Sequence, residues 1–194
     1  EVPRGIIKVL SRHLRGSVRE LLALRGAAPG EPDTSPASPP VETESTLTLI
    51  EKIMTLKRVD LFRGSPDHVL AEIAAGLTEL LLPAGRTIFH KGEPGDGMYL
   101  VVTGELRVHD GPHTLNHLAD GHVFGEMALL DSEPRLASVT ALAETRLLRL
   151  DQAPFYEIVE ARPEVAGGMI RVLARHLRNR IGDISRAGAR PVTE

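Results

Sequence analysis

Phe124–Ser138 reads FGEMALLDSEPRLAS, and the rest of the chain is organised around it. It holds a glycine, a carboxylate, a short run of helix formers and an arginine nine residues after the carboxylate. Gly125 has no Cβ, so the backbone there can approach a ligand closely. Glu126-Met127-Ala128-Leu129 is about one helical turn long, and the start of such a turn presents free N–H groups that favour an anion. Arg135 can offer a planar, permanently charged fork to a phosphate. An ionised Glu126 only accepts, which suits a sugar hydroxyl and repels a phosphate. An acceptor for a hydroxyl and a cation for a phosphate, joined by a small loop, describe a ribose–phosphate site. The same spacing is also compatible with an ordinary surface ion pair between Glu126 and Arg135.

Phe124-Gly125-Glu126-Met127-Ala128-Leu129, a variable loop and Pro134-Arg135-Leu136-Ala137-Ser138 resemble the phosphate-binding cassette of cyclic-nucleotide-binding domains. Such domains include the regulatory subunit of cyclic-AMP-dependent kinase and bacterial catabolite activators. The resemblance runs from about Leu47 to Ile184. It implies a mainly β fold with flanking helices: a double-stranded β-helix, or jelly roll, closed by a C-terminal lid helix. It further implies that Glu126 takes the ribose 2′-hydroxyl and Arg135 the exocyclic phosphate oxygens, with backbone N–H groups near Ala128 and Leu136. Cyclic-GMP-selective relatives tend to carry a threonine directly after the arginine. Leu136 stands there, which favours cyclic AMP over cyclic GMP as the ligand. Leu136 is also bulkier than the alanine common in cyclic-AMP binders, and so narrows the expected pocket.

The chain has 194 residues, 42% of them apolar, which is enough for one domain with extensions. Its formal net charge of −3 does not mark a nucleic-acid binder. No cysteine is present, which removes disulfides and Cys-based zinc sites and fits a reducing, cytoplasmic location. No apolar run approaches the roughly 20 residues of a membrane helix. The chain opens on Glu1 rather than methionine, so it is expected to be an excerpt of a longer protein.

Residues 1–26 read as an amphipathic helical segment. Ile7, Leu10, Leu14, Val18, Leu21 and Leu22 form its apolar stripe, and Gly16 is a candidate break. This stripe needs a partner: a preceding helical domain, the barrel or a second chain, the last leaving open a homodimer through helices. The pattern also weakly resembles the end of a HEAT-like array. Residues 27–46, rich in Pro and Ser, read as a linker. Residues 47–186 are the expected ligand-binding domain and 187–194 a tail.

Within that domain, helices are expected over Leu47–Val59 and Asp67–Leu77, the second capped by Ser65. From Thr78 the period shifts to two. Strands are expected over Thr78–Leu82, Thr87–His90, Met98–Thr103, Glu105–His109, Thr114–Leu118, Ala137–Ala141 and Thr145–Leu150, separated by glycine turns. Val101 and its neighbours are expected to line the pocket. Asp151 is the expected cap of a helix ending at Arg162-Pro163. Glu164–Ile184 is the expected lid. With no aromatic to cap the base, Leu177, Ile181, Arg175 or Arg178 are the candidates, Arg178 being taken as a ligand contact. Gly167-Gly168 reads as a hinge or a close-packing point.

His109, His113, His117 and His122 crowd one region but are read as solvated, with no metal. Arg171, Arg175 and Arg178 could suggest DNA, but a solvated or intersubunit face is the preferred reading. No nucleophile–base pair or Walker motif marks an enzyme. The expected function is therefore a non-catalytic cyclic-nucleotide sensor. The alternatives are a docking module of the same fold that has lost its ligand, and the sensor half of a transcription regulator whose DNA-binding part is absent.

Overall fold

The computed structural model describes residues 2–24, 41–42, 46–59, 62, 64–127 and 133–162. A long helix, α1 (Val2–Leu24), comes first, then a two-residue strand, β1 (Val41–Glu42). Helices α2 (Leu49–Arg58) and α3 (Asp67–Ala75) follow. Eight strands come next: β2 (Thr78–Leu82), β3 (Thr87–Phe89), β4 (Gly97–Thr103) and β5 (Leu106–Asp110), then β6 (His113–Leu118), β7 (Val123–Phe124), β8 (Ser138–Ala141) and β9 (Thr145–Asp151). Helix α4 (Gln152–Ala161) ends the described part.

The strands form two antiparallel sheets, ordered β1-β2-β9-β4-β7 and β3-β8-β5-β6. Period-two alternation then divides the apolar residues between two cores. On β4, Tyr99 and Val101 face the space between the sheets, while Met98 and Leu100 face the helices. On β9, Leu147 joins the inner core, and Leu148 and Leu150 join the outer one. Leu56 of α2, Leu70 and Ile73 of α3 and Phe155 of α4 complete the outer core, all fully buried.

The expected strands are present with ends shifted by a residue or so. Two short strands went unanticipated. β7 pairs Val123 and Phe124 with Leu100 and Tyr99, directly before Gly125. β1 lies inside the expected linker and pairs Val41 with Leu81; an edge strand of two residues needs only open backbone groups to pair with, so it leaves almost no sequence pattern.

Several local expectations are corrected. Gly16 does not break α1, which runs unbroken through it. A mid-helix glycine costs only about 1 kcal/mol relative to alanine, and packing of Leu14 against the outer core acts on the same turn. Ser65 is not the cap of α3: Pro66 is, with no side-chain cap bond, and its carbonyl accepts from the Val69 and Leu70 N–H groups. Asp151 does sit at the N-cap of α4, but its carboxylate accepts from Arg149 Nε at 2.6 Å instead of capping. The capping box lies at α2, where Thr48 and Glu51 bond reciprocally.

Candidate functional site

Between the cassette, the second sheet and α1 lies a cavity of about 470 Å3, counting space open to solvent at its mouth. Its apolar wall comes from Phe89, Val108, Phe124, Met127, Leu136 and Val139. The polar side chains on it are Glu126, Arg135 and Arg15, and Gly125 and Ala137 complete the lining.

Arg135 is 6% exposed. Its backbone is fixed by the Gly92–Gly97 turn: Arg135 N–H donates to the Glu93 carbonyl, and Gly92 N–H donates to the Arg135 carbonyl, both at 2.9 Å. Its Nη1 donates to the carbonyls of Gly97 at 2.9 Å and Gly125 at 3.3 Å. The guanidinium carbon lies 4.2 Å from the centre of the Phe89 ring, a cation–π contact. The buried Nε has no hydrogen-bond partner among the described residues. Burial pulls the guanidinium below its ordinary pKa, against the opposing effects of Tyr99, Asp96 and Glu126. Arginine remains charged even so. Burying such a group is costly unless something pairs with it; Asp96 Oδ1, at 3.9 Å from Nη2 and largely exposed, is a weak counter-charge.

Gly125 shows why the cassette needs a glycine. Its φ is +76°, and a Cβ there would sit 2.6 Å from Arg135 Nη1. Both the turn and the arginine's seat depend on that bare backbone. Gly97 is equally confined, since a Cβ would lie 2.7 Å from the Leu150 carbonyl.

The sequence-derived residues divide clearly. Phe124, Gly125, Glu126, Met127, Arg135, Leu136 and Ala137 share the cavity wall. Ser138 lies behind it, 2% exposed, its Oγ accepting from Lys91 N–H at 3.0 Å. Val101 is fully buried in the inner core and is not among the residues that line this cavity. Ala128 and Leu129 lie outside the described residues, as does everything expected of Glu164–Ile184, including Arg171, Arg175, Leu177, Arg178, Ile181 and the Gly167-Gly168 hinge.

The four histidines do not converge. His109 is buried and bonds to Thr140 Oγ1 and the Gly111 carbonyl, while His117 meets Glu105. No metal-binding group is found among the described residues.

Sequence reasoning missed Phe89, Val108, Val139 and Arg15. The first three were legible in principle as inward positions of strands already expected. Arg15 was not, being one basic residue among several on α1.

The cyclic nucleotide-binding domain family matches residues 79–162. A cAMP-activated global transcriptional regulator of the CRP-like kind from Mycobacterium tuberculosis is 31% identical over 137 residues, covering 66% of this chain and 61% of that protein. A cyclic nucleotide-gated potassium channel from Rhizobium etli is 39% identical over 108 residues, 56% of this chain and 30% of the channel. This chain thus spans less than two thirds of these curated relatives. Among solved structures, the N-terminal domain of a transcriptional regulator from Streptomyces coelicolor is 36% identical with a TM-score of 0.62, over 67% of this chain and 94% of that one. Two of these relatives are named as transcriptional regulators and one as a channel. No helix among the described residues is long and apolar enough to cross a membrane. With its two-sheet roll, its cassette wall and a match spanning nearly all of a solved domain, the chain belongs to the cyclic nucleotide-binding domain family.

Proposed function

We propose that the chain is a cytoplasmic sensor of cyclic AMP that passes occupancy of its cavity to the helices around the roll. The carrying observation is Arg135: a buried guanidinium on the cavity wall whose Nε lacks a partner among the described residues. An anionic phosphate would pair with that charge, and the ribose would meet Glu126 on the same wall. Leu136 supports adenine over guanine, since it offers no hydroxyl beside the arginine. The name of the mycobacterial relative, which includes activation by cAMP, supports the same choice.

Residues 47–186 form the sensor, with 1–26 as a helical element beyond the 27–46 linker and 187–194 as a tail. Occupancy would shift the population between helix arrangements, to the extent that the ligand binds one of them better. Isothermal titration of the whole chain with cyclic AMP and then cyclic GMP tests the reading. Saturable binding with cyclic AMP preferred is expected. Arg135→Ala is expected to weaken it by about 2–4 kcal/mol. Absence of binding by either nucleotide would overturn the sensor reading in favour of a docking module of the same fold. Unchanged affinity in the variant would remove Arg135 from the site.

A further inference from the structure

We propose that Arg15 of α1 is a second cation for the ligand phosphate, which makes α1 one wall of the nucleotide site. This rests on the sensor reading and adds a residue that the cassette does not contain.

Arg15 is 3% exposed and lines the same cavity as Glu126 and Arg135. Its Nη1 donates to the carbonyl of Pro134 at 2.5 Å, the residue directly before Arg135. Its guanidinium therefore stands on the cassette side of the cavity, not out in solvent. A guanidinium carries five N–H donors in a planar fork, so one head can hold a backbone carbonyl and an anion together. Leu14, next in sequence and 2% exposed, is inserted into the outer core, and Ser11 one turn earlier is fully buried. The turn that carries Arg15 is thus seated by packing.

Electrostatics point the same way. Two arginines and one glutamate are the charged residues of the lining. Two buried like charges beside one cavity repel more strongly than they would in water. A negatively charged ligand, such as a cyclic phosphodiester, eases that repulsion. By linkage, if docked α1 strengthens ligand binding, ligand strengthens α1 docking by the same factor. Arg15 therefore gives α1 a direct interest in the contents of the cavity.

The test is titration of the full chain with cyclic AMP at several salt concentrations, comparing the parent with Arg15→Gln and Arg15→Lys. Glutamine can still donate to the Pro134 carbonyl but carries no charge; lysine keeps the charge and loses the fork. Arg15→Gln is expected to bind roughly tenfold or more weakly, with a shallower dependence on salt. Arg15→Lys is expected to keep the parent's salt dependence. A purely structural role for Arg15 would leave that salt dependence unmoved. Parental affinity and salt dependence in Arg15→Gln, with Arg135→Ala still defective, would overturn this inference and leave the sensor intact. Tighter binding by Arg15→Gln would also overturn it, identifying α1 as an obstruction. A parent chain that binds no cyclic nucleotide would overturn both.

Discussion

The roll and α1 both face the cavity, but they are held by different physics. The roll is tied by backbone ladders. β9 alone pairs along its length with β2 on one side and β4 on the other, so its place follows from register. α1 has no such ladder. Among the described residues, its holds include Leu14 and the partly buried Leu10 on the outer core, buried Ser11 and the bond from Arg15 to Pro134, while Ile6 and Val9 on the same helix remain exposed. A wall fixed by register stays in place as long as the fold exists. A wall fixed by a few side chains can leave while the fold survives. A sensor needs both kinds: one to recognise the ligand, one to move.

The largest expected effect lies in the roll. Leu148 on β9 is fully buried where the sheet meets the helices. Leu148→Ala should cost about 2–5 kcal/mol, the sum of lost transfer energy and a residual cavity. Chemical denaturation of the whole chain measures it. A loss well under 1 kcal/mol would mean that the outer core is loosely packed and that the contrast with α1 is overstated.

Leu14→Ala makes the complementary cut and should be smaller, about 2 kcal/mol or less, because α1 can separate instead of leaving a cavity. The loss should be local. Hydrogen exchange across α1 should quicken while the denaturation midpoint of the roll holds. If α1 and the roll instead lose protection together, they form one cooperative unit and α1 is not a separable wall.

The sequence announced the two walls unequally for the same reason that they are held differently. Alternation in β4 and β9 and the glycine turns mark the roll, because register and turn geometry depend on local residue types. The cassette stands out because Gly125, Glu126 and Arg135 each answer a distinct chemical need. For Val101, a period of two says that a residue faces inward but not whether it meets a neighbouring sheet or a cavity. Phe89 and Val139 were overlooked for the same reason. The seat of Arg15 depends on how a remote helix docks, and nothing in the periodicity of α1 separates it from Arg12 or Arg19. The capping box Thr48–Glu51 was legible from its spacing but overlooked. β1 had no pattern to read.

The smallest effect probes a third mode of attachment, between roll and α2. Glu79 on β2 is 2% exposed. Its carboxylate accepts from Thr46 N–H at 3.0 Å, Thr46 Oγ1 at 2.9 Å and Leu47 N–H at 3.2 Å, just before α2 begins, and lies 3.5 Å from Arg146 Nε. Burial alone would raise its pKa. The bonds from Thr46 and Leu47 and the charge of Arg146 outweigh burial and hold it below the ordinary 4.5. A depressed folded-state pKa stabilises the fold fully above the unfolded value and progressively less as pH falls through the folded one. Glu79→Gln cannot titrate there, and at neutral pH should cost about 1 kcal/mol. The gap between parent and variant should hold steady above about pH 5 and close as pH drops below about 4.5. Thermal melts of both chains across that range measure it. A gap that persists unchanged into acid would mean that Glu79 acts only by shape, and its charge would then contribute nothing to holding the segment that leads into α2.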